Sequence, residues 1–344
     1  MLTYLQNLVK LTRGDFTLSP RVAVYYVTLQ CNLNCAYCED FGSRRNHQLT
    51  PNPTLEDAKR ILKVIRTGVD RLWLTGGEPL MAPHLVDLLD YARNTLKFRE
   101  ISLITNGTLL FKGGKDFSAE IIEDRKNQKL RNSMSSVYAV VKNLDRLIIS
   151  LDSTDPQALN TVSVPSAYAD TVIANAREAA SLQKKYQFKL ILNAVITPET
   201  LPGMDKLLAF CVENKAWISF SPQSINNWPR YELVTSPEYC ALIEKIIQLK
   251  KQGAPILGSL SYFRTLLKQT PYECYPTLIP RILPDGWPIP AGRWKRQVAS
   301  REDARSICSM SKPGRKPGES LQRNMARHPH PVYPVFSSAM QNRP

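Results

Sequence analysis

The chain has 344 residues, of which 43% are hydrophobic, 22% are charged and 8% are aromatic. This composition is typical of a folded globular protein and excludes the disordered, collagenous and disulfide-dense classes. No apolar run approaches the roughly 20 residues that a membrane helix needs. The N-terminal leucines are interrupted by polar and basic residues, unlike a secretory signal. We therefore expect a cytoplasmic protein with no membrane partner.

The formal net charge is +15, and much of the excess lies near the C-terminus. Residues 287–344 contain 11 Lys and Arg against three Asp and Glu, and they hold eight of the 25 prolines. This segment shows neither helical nor strand periodicity, which predicts a disordered basic tail. The body of the chain is only mildly basic, so a nucleic-acid partner is not expected.

Short apolar runs alternate with helical patterns after an N-terminal helical segment expected within residues 1–20. The predicted strands are residues 23–29, 71–74, 101–105, 147–151, 189–196 and 217–220. The predicted helices are residues 55–66, 83–95, 118–143, 168–185, 202–214 and 237–251. Such alternation predicts an α/β fold with parallel strands and outer helices. Periodicity alone leaves open an open doubly wound sheet or a partial barrel.

Polar residues follow four successive predicted strands, at the sheet edge where both architectures place their chemistry. They are Cys31 after the first strand, Gly76-Gly77-Glu78-Pro79 after the second, Asn106 after the third, and Ser150 and Asp152 at the fourth. A functional site is therefore predicted at this edge.

Three cysteines, Cys31, Cys35 and Cys38, lie in the loop after the first strand with the spacing CxxxCxxC. Zinc would need a fourth protein ligand, and none is evident in the sequence. An iron–sulfur cluster fits better, because three cysteines leave one iron open for another ligand. The alternative is that the cysteines act as small buried hydrophobes. The flanking residues Asn32 and Asn34 argue against that alternative.

The order of CxxxCxxC and Gly76-Gly77-Glu78-Pro79, each after a strand, resembles the radical S-adenosylmethionine superfamily over roughly residues 20–225. The resemblance implies a partial (βα)6 TIM-like barrel for residues 21–225. It also implies a four-iron four-sulfur cluster on the three cysteines, whose open iron binds S-adenosylmethionine. The reduced cluster would then split this cofactor into methionine and a 5′-deoxyadenosyl radical that abstracts hydrogen from a substrate. An electron donor such as flavodoxin or ferredoxin is implied as the partner.

The same resemblance implies which residues bind S-adenosylmethionine. Gly76 and Gly77 would let the backbone approach the methionyl ammonium group, and Glu78 would pair with that cation. Tyr37 would lie beside the adenine, with a simple loop anchor as its alternative. The remaining candidates are Pro79, Asn106, Ser150, Asp152 and Asn193. For Asn193, within an apolar strand, a buried and satisfied amide is the alternative.

The C-terminal region, residues 226–286, is predicted to be helical and to end in an interrupted motif. Cys274 and Gly286 have the spacing that opens the auxiliary-cluster module called SPASM or twitch. The second cysteine of that pattern would stand at position 291, where this chain has Ala291. A reading frame shifted by one base near Gly286 permits a cysteine there, so we hypothesise a frameshift. Cys274 is then a candidate remnant of an auxiliary site in a short, incomplete extension.

The leading functional hypothesis is a radical enzyme that acts on a peptide or a small molecule, since SPASM-like members often act on peptides. Three alternatives stay open. They are a cyclase of molybdenum-cofactor biosynthesis, an RNA-modifying radical enzyme, and an inactive frameshifted relative. The tail lacks the three clustered cysteines expected of the first alternative, and the mild charge of the body argues against the second.

Overall fold

The computed structural model describes residues 2–15, 18–38, 51–110, 140–225, 228–268 and 278–288. Three features predicted from the sequence lie outside these residues. They are most of the predicted helix 118–143, Cys274, and the basic tail beyond residue 288. Among the described helices, none is both long and apolar enough to cross a membrane.

Six parallel strands form the centre of the fold and follow one another in chain order. They are β1 (Ala23–Tyr26), β2 (Arg71–Thr75), β3 (Glu100–Thr105), β4 (Arg146–Ser150), β5 (Lys189–Ile196) and β6 (Trp217–Pro222). Each pairs in parallel with the next, from β1 to β6. All six predicted strands are confirmed, although the first ends three residues earlier than predicted.

The sheet contains a seventh strand that the periodicity did not predict. After a two-stranded antiparallel pair, β7 (Ser224–Ile225) and β8 (Trp228–Pro229), the chain returns as β9 (Arg281–Ile282). This strand pairs in parallel with the outer edge of β1, so the sheet runs β6-β5-β4-β3-β2-β1-β9. A strand of two residues is too short to show a period of two, which is why the sequence did not predict it.

Nine α-helices are found in the described part of the chain. They are α1 (Leu2–Thr12), α2 (Leu55–Gly68), α3 (Leu85–Asp90), α4 (Pro156–Val162), α5 (Ser166–Tyr186), α6 (Met204–Glu213), α7 (Tyr231–Val234), α8 (Pro237–Lys251) and α9 (Leu260–Lys268). The helix predicted at 83–95 is divided, since α3 continues as a π-helical turn, Tyr91–Thr95. The short helix α4 was not predicted, although Asp155 caps its N-terminus and Pro156 occupies its first turn.

Local sequence explains where these helices begin and which face they bury. The Thr54 side chain accepts a hydrogen bond from the Asp57 amide at the start of α2, which satisfies a donor that the helix leaves unpaired. Ala58, Leu62 and Ile65, spaced three or four residues apart, form the buried face of the same helix. Such helices cover the outer face of the sheet and contribute to one continuous hydrophobic core.

The two faces of the six-stranded sheet differ in burial. Side chains of the outer face, which the helices cover, are fully buried. Examples are Leu72, Leu103, Leu147 and Leu192. On the inner face many side chains are only partly buried, namely Trp73, Thr75, Ile104, Ile148, Ser150, Asn193, Val195, Trp217, Ser219 and Ser221. A parallel sheet is normally covered on both faces. The inner face is thus only partly covered, and the sheet does not close from β6 to β9 within the described residues, in agreement with a partial TIM-like barrel.

Candidate functional site

The loop that follows β1 carries Cys31, Cys35 and Cys38, and it is fixed to two neighbouring elements. The Ala36 amide donates to the carbonyl oxygen of Val162, at the end of α4, over 2.7 Å. Cys35 lies beside α4 as well, and its Sγ is 3.9 Å from the carbonyl oxygen of Ser163. All three cysteines are partly buried and none forms a disulfide. The loop is thus held in place at the carboxyl edge of the sheet.

The thiols of Cys31 and Cys35 resist ionisation in the unloaded protein. The pKa of Cys31 is raised to about 11, mainly by burial and to a lesser extent by the nearby Glu78 carboxylate and Cys38 thiol. Burial likewise raises the pKa of Cys35 to about 12, with added contributions from Asp152, Cys31 and Cys38. The three thiols therefore lie within electrostatic reach of one another. Because metal ligation requires thiolates, cluster binding at this loop must release protons.

The donor set of this loop fits an iron–sulfur cluster better than a single metal ion. Among the described residues, no three His, Cys, Asp or Glu side chains converge on the position of a single metal ion. In a four-iron cluster each cysteine binds a different iron, so its ligands need not converge on one point. Three mutually close thiols on one loop fit such a cluster and leave one iron without a protein ligand. Cys31, Cys35 and Cys38 are the residues that would hold it.

The two glycines after β2 lie directly against the cysteine loop. A Cβ atom on Gly76 would be 2.4 Å from the carbonyl oxygen of Thr28, and one on Gly77 would be 2.2 Å from that of Gln30. The Gly77 amide donates to Thr28 over 3.0 Å, and the Glu78 amide donates to Gln30 over 2.7 Å. The glycines therefore allow the two loops to meet, a packing role that the sequence did not indicate.

Glu78 is fully buried and ties the loop after β2 to the end of β3. Its Oε1 accepts hydrogen bonds from Thr105 Oγ1 over 2.7 Å and from the Leu80 amide over 3.0 Å, while Oε2 accepts from the Asn106 amide over 2.7 Å. Burial raises its pKa to about 7, although these donors oppose the shift. The carboxylate is buried, and its expected pairing with an ammonium group stays a prediction. Pro79, also buried, begins a short 3-10 turn, Pro79–Met81, that Glu78 caps.

Tyr37 and Asp152 form a second buried connection. The Tyr37 hydroxyl donates to Asp152 Oδ2 over 2.5 Å, and the Val195 amide donates to Oδ1 over 2.9 Å. Burial is the main cause that raises the pKa of both side chains. The hydrogen bond fits the role of Tyr37 as a loop anchor, and a position beside the adenine stays a prediction. Asp152 is 1% exposed, and its expected role in cofactor binding also stays a prediction.

Asn106 links the loop after β3 to the cysteine loop. Its Nδ2 donates to Asn32 Oδ1 over 2.8 Å, and its Oδ1 accepts from the Thr108 amide over 3.0 Å. Asn32 Nδ2 closes the network by donating to Thr108 Oγ1 over 2.8 Å. Asn32 and Thr108 are functional candidates that the sequence prediction missed. Asn32 adjoins a cysteine, which was the available signal, whereas nothing local marks Thr108.

Ser150 and Asn193 lie in one row across the inner face of the sheet. Ser150 is in register with Asn193, and Asn193 is in register with Ser219. Ser219 Oγ donates to Asn193 Oδ1 over 2.8 Å, so the Asn193 amide is partly satisfied within the protein. Since all three side chains are partly exposed, they present uncharged hydrogen-bonding groups on the open face. Ser219 was not predicted, because one serine among strand residues carries no distinctive signal.

Residues 25–211, more than half of the chain, match the family model of the radical SAM superfamily. A GTP 3′,8-cyclase of Mycobacterium marinum is 30% identical over 237 residues, which are 67% of this chain and 58% of that protein. A probable GTP 3′,8-cyclase of Methanococcus aeolicus is 28% identical over 54% of this chain and 53% of its own length. The chain therefore spans little more than half the length of these relatives.

Among solved structures, Streptococcus suis SuiB aligns with a TM-score of 0.56 and 19% sequence identity. The alignment covers 83% of this chain and 63% of SuiB, and it supports the fold. The match to the superfamily model includes the cysteine loop and the four strand ends described above. The chain is therefore an enzyme of the radical SAM superfamily, whose cofactors are a four-iron four-sulfur cluster and S-adenosylmethionine.

Proposed function

We propose that this enzyme abstracts hydrogen from a peptide or small molecule that binds against the inner face of the partial barrel. The observation that carries the proposal is the open inner face, whose carboxyl edge adjoins the cysteine loop. When bound, the cofactors supply a one-electron cleavage of S-adenosylmethionine that generates a hydrogen-abstracting radical. Cys31, Cys35 and Cys38 would hold the cluster.

The inner face offers the groups that would orient the bound molecules. Ser150, Asn193 and Ser219 form an uncharged polar row that suits hydroxyl and amide partners. The next row toward the amino ends of the strands is apolar. In it, Ile148 is in register with Ile191, and Ile191 is in register with Trp217. These apolar side chains form a hydrophobic row beside the polar one. We propose that the polar row contacts the nucleoside of S-adenosylmethionine.

The test is anaerobic reconstitution of the full chain with iron and sulfide, followed by iron counting and a 5′-deoxyadenosine assay after dithionite reduction. A variant with Cys31, Cys35 and Cys38 all replaced by alanine is the control. We expect about four irons per chain and deoxyadenosine that depends on the three cysteines. A Cys211→Ala variant, in which a buried core thiol is changed, should retain both. Wild-type protein without iron, or deoxyadenosine from the triple variant, would contradict the proposal.

A second candidate is GTP cyclisation, favoured by the names of the sequence relatives reported above. Near the carboxyl ends of the described strands, the inner face contains no Lys or Arg. Because a triphosphate needs cationic partners, this observation argues against GTP cyclisation. In the six central strands the basic side chains of this face, Arg71, Arg146 and Lys189, lie at the amino ends of their strands. Consumption of GTP by the reconstituted enzyme, with matching deoxyadenosine formation, would favour this candidate over the first.

A further inference from the structure

Two buried carboxylates lie on either side of the cysteine loop. The Glu78 amide donates to the carbonyl oxygen of Gln30, next to Cys31, and Asp152 accepts from the hydroxyl of Tyr37, next to Cys38. The two acidic residues come from different strand ends, after β2 and after β4. Glu78 is 0% exposed and Asp152 is 1% exposed. Buried acidic residues are uncommon in proteins unless they are paired or functional.

Hydrogen-bond donors surround both groups in a way that favours the anion. Glu78 accepts from the Leu80 and Asn106 amides and from the Thr105 hydroxyl. Asp152 accepts from the Tyr37 hydroxyl and from the Val195 amide. No Lys or Arg forms an ion pair with either carboxylate among the described residues. When ionised, each therefore carries a negative charge that has no Lys or Arg partner among the described residues, although burial raises the pKa of both groups.

The partners of these carboxylates are mostly backbone groups of strand ends and adjoining turns. The Val195 amide belongs to β5, and the Asn106 amide follows β3. Charges held by such partners stay at fixed positions beside the cysteine loop. In a buried environment their electrostatic effect is screened far less than that of a surface carboxylate.

We propose that Glu78 and Asp152 are positioning charges that lower the reduction potential of the cluster. This inference depends on the proposed cluster site. Reduction adds one negative charge to the cluster, and a fixed anion nearby opposes that addition. Net charge near an iron–sulfur cluster is one of the factors that set its potential. A lower potential makes the reduced cluster a stronger reductant, which cleavage of a sulfonium requires.

The experiment measures the midpoint potential of the reconstituted full chain by a redox titration followed by electron paramagnetic resonance. Asp152→Asn and Glu78→Gln each remove one charge with little change in shape. Asp155→Asn is the matched control. It removes a charge three residues away at an exposed helix cap, which asparagine also satisfies. A pH of 8.5 keeps Glu78 ionised, because its pKa is about 7.

At a fixed potential, we expect Asp152→Asn to raise the ratio of reduced to oxidised cluster at least tenfold, which is 59 mV for a one-electron couple. Glu78→Gln should shift the potential in the same direction, and Asp155→Asn should shift it much less. Unchanged or lowered potentials in cluster-loaded Asp152→Asn and Glu78→Gln would overturn the inference. If only one of these two variants binds the cluster, the midpoint potential of that variant decides the test.

Iron content separates this inference from the proposed function. If wild-type protein binds no cluster, the proposed function fails. If wild-type protein binds about four irons but neither variant loads, the carboxylates are needed for assembly, and their proposed effect on the potential is overturned. A loaded variant with an altered potential and an unchanged iron count supports the inference independently of any substrate.

Discussion

Replacing Gly77 by alanine should disrupt the docking of the loop after β2 onto the cysteine loop. The new Cβ would lie 2.2 Å from the Gln30 carbonyl oxygen and 2.5 Å from its carbonyl carbon, where ordinary contact begins at 3.4 Å. These are backbone atoms, so no side-chain rotation can relieve the overlap. One of the two loops must therefore move by about 1 Å.

Two contributions give the expected loss in the free energy of unfolding. Overpacking typically costs about 1–3 kcal/mol. The shift also weakens the hydrogen bonds from Gly77 to Thr28 and from Glu78 to Gln30, each worth about 1 kcal/mol. The total of about 3–5 kcal/mol is a large part of the ~5–15 kcal/mol that stabilises a typical protein. With a urea m-value of about 3 kcal/mol/M, the unfolding midpoint should fall by about 1–1.7 M.

The assay is urea unfolding of the unloaded full chain followed by circular dichroism, with iron content measured after reconstitution. Gly68→Ala is the control, because a Cβ there meets no atom within 4 Å and alanine favours the end of α2. The control should be unchanged or slightly more stable, whereas Gly77→Ala should be less stable and bind less iron. A Gly77→Ala protein with the wild-type midpoint and iron content would refute the described contact.

Two further predictions concern the titratable groups of the site. The folded-state pKa of Glu78 is raised from 4.5 to about 7, so the folded state binds more protons than the unfolded state between these values. Stability of the unloaded protein should therefore fall by about 3 kcal/mol as pH rises from 4.5 to 7, and Glu78→Gln should remove most of this slope in urea unfolding. The thiols of Cys31 and Cys35, with pKa values of about 11 and 12, should react slowly with iodoacetamide at pH 8 in the unloaded protein. Mass spectrometry of alkylated peptides measures this reactivity, and alkylation of Cys35 as fast as that of free cysteine would contradict the described burial.

The sequence was sufficient to predict the six parallel strands and to place a candidate site after four of them. Six apolar runs and the polar residues after four of them carry this information locally, because burial and turn chemistry act on neighbouring residues. The cysteine spacing was equally informative, since three ligands on one loop depend on sequence distance alone. These features needed no knowledge of contacts between distant segments.

The roles of individual site residues could not be predicted in the same way. Glu78 contacts the end of β3 and Asp152 contacts Tyr37 in another loop, so their burial depends on how distant segments meet. A charged residue in a polar loop gives no local sign that it is inaccessible. The network of Asn32 and Thr108 is likewise formed by residues 76 positions apart. Long-range hydrogen bonding therefore decides which polar residues face a ligand and which support the loops.

The pairing of β9 with β1 has a consequence for biosynthesis. Val24 pairs with Arg281, and Tyr25 pairs with Ile282. A ribosome must therefore synthesise more than 250 further residues before β1 acquires its second neighbour. During that interval β1 is an exposed strand edge, which is prone to pair with other chains. Chains that stop before residue 281 would keep this edge permanently, so we expect such fragments to aggregate more readily than the full chain.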